Sequence, residues 1–268
     1  QSGYTTAMVG KWGLGGPGST GEPNSLGFDF FFGYLCQREA HNYYPTHLWK
    51  NTTRIDLEGN SPGNLIGKRY AQTLFMTEIE SFLRSRKPEP FFLYLPFTIP
   101  HVAIQAEEED IAPYRTLPDA PYDGKQGYLP HPTPHAAYAA MVSRLDKDVG
   151  RILDLIAELG LDSSTIIFFC SDNGPTYDRI GGAASDFFDS AAGLRARKGS
   201  VYEGGIRVPL IARWPGKIRP GETCGIPCAS YDLMPTLLDL ARAPAEPGLD
   251  GISLTPALLN SGGQPRHD

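Results

Sequence analysis

The sequence predicts an α/β fold in which helices flank a largely parallel central sheet. The run Thr165-Ile-Ile-Phe-Phe-Cys-Ser171 is short, continuous and rich in β-branched and aromatic residues, as in a strand buried on both faces. A second such run, at 91–97, follows a helical pattern over 65–86, which is the helix-then-strand step of βαβ units. A longer helical pattern over 135–160 leads into the first run, and Gly160 fits the position just past a helix end.

Composition and charge restrict the classes of function. The chain has 268 residues, of which 41% are hydrophobic and 20% charged, as in a globular protein of one large α/β domain or one and a half ordinary ones. A net charge of −6 argues against nucleic acid or an anionic membrane as the main partner. No stretch approaches the roughly 20 apolar residues of a membrane span. The four cysteines are too few and scattered for a disulfide framework, and zinc is disfavoured because Cys224 and Cys228 lack a second pair nearby.

Asp172 and Asn173 are candidate ligands of a divalent cation. They directly follow the run that ends at Ser171, in an Asp-Asn-Gly-Pro sequence that cannot continue a strand. In an open α/β sheet, ligands bind beyond the carboxyl ends of the strands. A carboxylate oxygen and an amide oxygen at that position suit Ca²⁺ or Mg²⁺. An ordinary turn stabilised by these side chains is the alternative.

Lys11 and His101 also follow predicted strands. Lys11 comes after a short strand at 4–10 and opens a glycine-rich loop, where its ammonium can meet an anion. His101 comes shortly after the strand at 91–97, and an imidazole there suits acid–base chemistry near neutral pH. A surface lysine and a structural histidine are the alternatives.

Lys198 lies in a turn at 195–209 that contains four cations and three glycines. A basic cluster with little steric bulk suits an oxyanion, although a solvated basic turn has the same composition. His101, Asp172 with Asn173, and Lys198 lie just beyond or beside predicted parallel strands, so they can converge on one rim of the sheet. One cation, two lysines and a histidine suit the hydrolysis of an anionic ester, because cations neutralise the ester oxygens and the imidazole protonates the leaving alcohol.

Three further stretches have weaker signals. Residues 27–49 are aromatic, with Arg38, His41 and His47 interspersed, and predict either a sugar-contacting loop or an aromatic mini-core. Residues 105–134 are acidic and rich in proline, as in a long surface excursion. A helix is predicted from 230 onwards, with Asp232 as its N-cap.

Five segments of the chain form one ordered set. They are Gly3-Tyr-Thr-Thr-Ala-Met-Val-Gly-Lys-Trp-Gly-Leu-Gly15, Pro90-Phe-Phe-Leu-Tyr-Leu-Pro-Phe-Thr-Ile-Pro-His101, Ser171-Asp-Asn-Gly174, Lys198-Gly-Ser-Val-Tyr-Glu-Gly-Gly-Ile-Arg-Val-Pro209 and Ser230-Tyr-Asp-Leu-Met-Pro-Thr-Leu-Leu-Asp239. In content and order this set resembles the type I, formylglycine-dependent sulfatases of the alkaline-phosphatase superfamily.

The resemblance implies hydrolysis of a sulfate monoester, taken here to belong to a sulfated carbohydrate. It implies that Asp172 and Asn173 ligate a Ca²⁺ ion. It further implies that Lys11 and Lys198 hold the sulfate and the nucleophile, and that His101 contacts the sulfate and protonates the leaving oxygen. A periplasmic or secreted location is also implied.

The chain departs from the family's pattern at Gly13. The family usually has a histidine there, two residues after the lysine of the first motif, and that histidine takes part in proton transfer at the nucleophile. We hypothesise that His41 supplies the imidazole instead. His41 and Arg38 are then expected to contact the substrate.

The second departure concerns the nucleophile. The family oxidises the Cys or Ser of a Cys/Ser-x-Pro-x-Arg motif to formylglycine, and neither that motif nor the family's first metal-binding Asp pair occurs in this sequence. Both are expected upstream of Gly3. Residues 1–268 are therefore interpreted as part of a sulfatase catalytic domain, without its N-terminal nucleophile segment and C-terminal subdomain, and are predicted to be inactive alone.

Two other functions stay open at this stage. One is a phosphate or phosphonate monoester hydrolase of the same superfamily, and the other is a non-catalytic carbohydrate-binding relative. The single Asp-Asn pair and the two lysine motifs favour sulfate over phosphate.

Overall fold

The computed structural model describes residues 2–85, 89–177 and 180–260. These residues belong to two compact units. Among the described residues, the larger unit comprises 4–85, 89–155, 175–177 and 180–206, and the smaller unit comprises 2–3, 156–174 and 207–260.

The larger unit is built on a five-stranded mixed sheet. Its strands are β1 (Thr5–Lys11), β2 (Phe30–Tyr34), β3 (His47–Lys50), β4 (Thr53–Asp56) and β5 (Phe91–Tyr94). They are arranged in the order β4-β3-β2-β1-β5, with β1 parallel to both β2 and β5 and with β3 and β4 added antiparallel. The predicted α/β class is confirmed, and the parallel pairing lies around β1.

Four helices belong to this unit, in whole or in large part: α1 (Ala71–Ser85), α2 (Glu108–Ile111), α3 (Pro134–Glu158) and α4 (Glu203–Ile206). The predicted helix over 135–160 is confirmed as α3, and Gly160 follows it with a φ of +70°. Helix α1 begins later than the pattern over 65–86 predicts, because the side chain of Asn60 exchanges two hydrogen bonds, of 2.8 and 2.9 Å, with the backbone of Arg69. The predicted helix end at Arg86 lies outside the described residues.

Helix α1 packs on the sheet through aromatic side chains. Phe75 meets the rings of Phe32 and Tyr34 edge to face at 6.2 and 6.0 Å, and Phe82 contacts Phe30 at 6.2 Å. Phe75 is fully buried. Complete burial of a phenylalanine side chain stabilises a fold by about 1.5–3 kcal/mol. The strand at 91–97 was predicted to be buried and seven residues long, but β5 has four residues and is half-buried because it lies at the edge of the sheet.

The smaller unit contains a two-stranded antiparallel sheet. Its elements are β6 (Ile167–Cys170), β7 (Leu210–Arg213), α5 (Leu233–Leu240) and α6 (Thr255–Leu259). The run at 165–171 was predicted to be buried on both faces in a parallel sheet, and this prediction is wrong: β6 pairs antiparallel with β7, and Phe169 is 36% exposed. A continuous apolar run identifies a strand but does not specify the direction of its partner.

Asp232 has a different role from the predicted one. It is fully buried at the start of α5, and its carboxylate makes no capping bond to that helix. Instead it accepts hydrogen bonds from the backbone N–H groups of Ala229 at 2.8 Å and Ile252 at 2.9 Å. The side chain therefore joins the segments before and after α5.

Candidate functional site

Lys11 is the last residue of β1, the strand with parallel neighbours on both sides. Its backbone N–H donates to the carbonyl of Pro96 at 2.9 Å, and the N–H of Trp12 donates to the carbonyl of Tyr34 at 2.9 Å. A Cβ atom on the preceding Gly10 would lie 2.2 Å from the Pro96 oxygen, so only glycine permits this close approach. The half-buried Lys11 thus emerges from a tightly fixed strand end.

His101 lies in a loop after β5 that Tyr43 holds in place. The hydroxyl of Tyr43 donates to the carbonyls of Thr98, at 3.1 Å, and of His101, while its backbone N–H donates to the side-chain oxygen of Gln105 at 2.8 Å. The Nδ1 atom of His101 contacts the carbonyl oxygen of Val102. Because a carbonyl only accepts, Nδ1 carries a proton, and Nε2 is the nitrogen at which the ring gains or loses a proton.

The structure brings His41 face to face with His101. His41 ends a short 3-10 turn at Glu39–His41, and its ring stacks on His101 with centroids 4.8 Å apart and planes 3° from parallel. The neighbouring rings of Phe31, Tyr34 and Tyr43 are buried, so the aromatic mini-core predicted as one alternative for 27–49 is confirmed for them. His41 itself is half-buried.

The surroundings of His41 lower the pKa of its imidazole from 6.5 to about 4. Burial is the largest cause, and the positive charges of His101, Lys11 and Lys198 follow. His41 is therefore neutral at neutral pH, where it can accept a proton. The same contributions show that Lys11 and Lys198 lie within electrostatic reach of His41.

Lys198 lies in a compact turn that depends on glycine. A Cβ atom on Gly204 would lie 2.0 Å from the carbonyl oxygen of Ala196, and the Gly204 N–H donates to the carbonyl of Arg195 at 2.8 Å. The N–H of Lys198 donates to the carbonyl of Pro175 at 2.9 Å. The predicted glycine-rich basic turn is confirmed, and Lys198 is half-buried in it.

Arg38 and His47 are not part of the histidine cluster. Arg38 is exposed just before the 3-10 turn that ends at His41. The Nε2 atom of His47 lies 3.5 Å from the Glu39 carboxylate, and its ring meets Trp49 edge to face at 6.1 Å. Contact of Arg38 with a substrate stays a prediction.

Tyr128 is a neighbour of the histidine pair that the sequence did not reveal. Its ring lies 5.5 Å from the ring of His41 and 6.4 Å from that of His101, at steep angles to both. Tyr128 belongs to the proline-rich excursion at 105–134, where no periodicity or motif distinguishes it from other surface residues.

Asp172 and Asn173 lie in the smaller unit, just past the end of β6. The Asn173 side-chain nitrogen donates to the carbonyl of Gly174 at 3.0 Å, and among the described residues neither its amide oxygen nor the Asp172 carboxylate has a hydrogen-bond partner. These two oxygens fit part of the shell of Ca²⁺, which takes six to eight oxygen ligands. Within the described ranges, no group of three or more His, Cys, Asp or Glu residues is arranged to hold a metal. Their role as ligands stays a prediction.

The described helices include none that is long and apolar enough to cross a bilayer.

Comparison with known proteins supplies the family context. A family model described as Sulfatase matches residues 1–243. Arylsulfatase A of Homo sapiens is 32% identical over 282 residues, which cover 98% of this chain and 50% of that protein. Steryl-sulfatase of Mus musculus is 32% identical over 193 residues, which cover 71% of this chain and 28% of that protein. The chain thus spans half or less of the length of these relatives.

The fold of this chain is also similar to that of a solved structure. The crystal structure of Ps i-CgsB in complex with k-i-k-neocarrahexaose superposes with a TM-score of 0.76 at 28% sequence identity. The superposition covers 97% of this chain and 56% of that chain. The similarity therefore extends across both units of the chain.

Proposed function

This chain belongs to the sulfatase family, and we propose that its larger unit supplies the sulfate-binding and proton-transfer groups of a sulfuric ester hydrolase. The observation that carries the proposal is the stacked pair of His41 and His101, within electrostatic reach of two lysines. Two cations and two imidazoles suit an ester whose leaving oxygen must be protonated while its anionic oxygens are neutralised.

Each of these residues has one role in the proposal. Lys11 and Lys198 bind the sulfate oxygens as point charges, each on a rigid backbone segment. When it is protonated on both ring nitrogens, His101 donates its Nε2 proton to the leaving alcohol and keeps its Nδ1 proton, which is engaged with the carbonyl of Val102. His41 is neutral at working pH and accepts a proton.

His41 also accounts for the departure at Gly13. The family's histidine at that position is absent here, and a side chain at Gly13 would face the side chain of Gln37, 3.4 Å away. His41 reaches His101 from the neighbouring aromatic segment and supplies an imidazole from another direction. The hypothesis formed from sequence is thereby supported by the stacking geometry.

Calcium and formylglycine are the cofactors that family membership suggests. Asp172 and Asn173 are proposed to contribute two oxygen ligands to Ca²⁺, and formylglycine is expected to derive from a segment upstream of Gly3. When bound, these groups would supply charge neutralisation and the nucleophile. Titration of the full-length protein with Ca²⁺ by calorimetry tests the ligand assignment: Asp172→Ala should weaken binding at least about tenfold, whereas Asp56→Ala, an exposed carboxylate in β4, should not.

A sulfated carbohydrate is the proposed substrate class. Ps i-CgsB was crystallised with a neocarrahexaose, and the similarity to it covers 97% of this chain. Arg38 is exposed beside the turn that carries His41, and it is proposed to contact an anionic group of the saccharide. We also propose a periplasmic or secreted location, which cell fractionation would test.

The proposed reaction is tested with the full-length protein in the presence of Ca²⁺, with matched sulfate and phosphate aryl esters. We expect cleavage of the sulfate ester and its loss in Lys198→Ala. The isolated chain of residues 1–268 should be inactive. Cleavage of the phosphate ester alone would make the protein a phosphoester hydrolase, and binding of sulfated saccharides without cleavage would make it a carbohydrate-binding relative.

A further inference from the structure

Tyr128 lies on a short hairpin whose backbone is well fixed. An isolated antiparallel bridge joins Tyr122 and His131, with hydrogen bonds of 2.9 and 3.0 Å in the two directions. The Tyr122 hydroxyl donates to the carbonyl of Gly127 and accepts from the N–H of Gln126 at 3.1 Å. These bonds join Tyr122 to Gln126 and Gly127 before Tyr128 and to His131 after it, so both flanks of Tyr128 are fixed.

The backbone of Tyr128 adopts an unfavourable conformation. Its φ is +66°, a left-handed value that glycine adopts readily but that is rare for a residue with a bulky side chain. Such a conformation persists where the surrounding structure holds it, and it is concentrated at functional sites. In this hairpin, the residue with the left-handed backbone is the one whose ring contacts His41 and His101.

The ring of Tyr128 flanks the two imidazoles instead of extending their stack. A ring stacked beyond His41 would lie far more than 6.4 Å from His101, which is the distance observed. At 65° to His41 and 69° to His101, Tyr128 makes edge contacts with both rings. One aromatic side chain therefore contacts both members of the pair.

Gly181 provides the space that this ring occupies. A Cβ atom at Gly181 would lie 3.2 Å from the Cδ2 atom of Tyr128 and 2.9 Å from the side chain of Val102. Tyr128 also packs against the buried cluster that includes Val102, which follows His101 in sequence, and Tyr43, whose hydroxyl donates to the carbonyl of His101. The ring is thus held between the protein interior and the imidazoles.

We propose that Tyr128 is a positioning residue, which holds the imidazoles of His41 and His101 face to face and shields them from water. The catalytic consequence rests on the function proposed above, but the effect on His41 can be measured without any turnover. His41 is faced by His101 from the loop after β5, by Lys11 from β1, by Lys198 from its glycine-rich turn, and by Tyr128 from the hairpin. Removal of the Tyr128 ring admits water to His41 while the three positive groups remain.

Two variants separate the ring from its hydroxyl. Tyr128→Gly removes the ring and suits the positive φ, so the hairpin should keep its backbone. Tyr128→Phe keeps the ring. In full-length protein labelled with ¹³C-histidine, NMR titration of the His41 imidazole should give a pKa that rises by roughly half a unit or more in Tyr128→Gly, because desolvation is relieved. The pKa should be unchanged in Tyr128→Phe and in Gln126→Ala, a change in the same hairpin.

The outcomes are distinct. An unchanged His41 pKa in folded Tyr128→Gly protein would overturn the positioning role, and so would an equal shift in Tyr128→Phe, which would assign the effect to the hydroxyl. If Tyr128→Gly loses its native circular dichroism, Tyr128→Leu replaces it as the test variant, because leucine removes the aromatic ring but retains apolar bulk. The His41–His101 pair should then lose its stacking geometry, which would change the NMR chemical shift of the His41 imidazole. Absence of sulfatase activity in all proteins would contradict the proposed function and leave this result intact.

Discussion

The imidazoles of His41 and His101 stack with ring centroids 4.8 Å apart and planes 3° from parallel. Two imidazoles in contact do not both carry charge easily, because each positive ring disfavours protonation of the other. In agreement with this, a positive charge on His101 is one of the causes that lower the pKa of His41. This arrangement pairs a neutral base with a potential acid.

Loss of His41 should impair turnover in the full-length enzyme. We expect His41→Gln to lower kcat about 100-fold or more and to change the pH profile, because general acid–base catalysis contributes at least that much. His47→Gln is the matched control, since His47 belongs to the same segment but contacts Glu39 and Trp49. An unchanged rate and pH profile in His41→Ala would disprove the role of His41.

A histidine at Gly13 should partly replace His41. A Cβ atom there would meet only the flexible side chain of Gln37, at 3.4 Å, so the substitution should be tolerated. In a His41→Gln background, Gly13→His is expected to recover about tenfold in kcat by restoring an imidazole. The assay compares the single and double variants. No recovery in a folded double variant would mean that His41 does not perform the function of the family's histidine.

The low pKa of His41 should make stability depend on pH. The pKa of His41 is about 4 in the folded chain, and its ordinary value is 6.5. Between pH 4 and pH 6.5, the unfolded chain therefore binds a proton at His41 that the folded chain does not bind. The stabilisation is fully present above about pH 6.5 and is lost as pH falls towards 4. Urea unfolding at pH 7 and pH 5 should show a smaller loss in His41→Gln than in the unmodified protein. Equal losses would contradict the pKa shift.

Gly204 should be indispensable for the turn that contains Lys198. In Gly204→Ala, the new Cβ atom would lie 2.0 Å from the Ala196 carbonyl, so the turn must move at a cost of about 1–3 kcal/mol. Displacement of Lys198 is expected to lower kcat/KM about 100-fold. Gly150→Ala in α3 is the control, because a Cβ atom there meets nothing within 4 Å and should stabilise the helix. Normal kinetics in Gly204→Ala would show that the turn is not needed.

Arg144 should contribute more to stability than an exposed ion-pairing residue such as Arg54. Its guanidinium contacts Glu107 at 2.7 Å and both Asp110 and Asp148 at 3.0 Å, and the residue is only 9% exposed. Arg144→Met would leave three carboxylates without their shared cation, at an expected cost of about 3–5 kcal/mol in urea unfolding. Arg54→Ala removes an exposed pair and should cost at most about 1 kcal/mol. Similar costs for both variants would contradict the prediction.

The sequence by itself determined much of the local structure and the family. Strand β1, helix α3 and its terminal Gly160, and the glycine-rich turn at Lys198 were all readable, because hydrophobic period and glycine content act over a few neighbouring residues. The ordered motifs identified the sulfatase family, which residues 1–243 match.

Tertiary structure decided what depends on residues far apart in the chain. The direction of β6 depends on its partner β7, and the apolar run at 165–171 contains no information about that partner. The stacking of His41 on His101 and the contact with Tyr128 join three loops, and burial together with charges at positions 11, 101 and 198 lowers the pKa of His41. Solvation and Coulomb forces act through space, so the chemistry of His41 was fixed only when the chain folded.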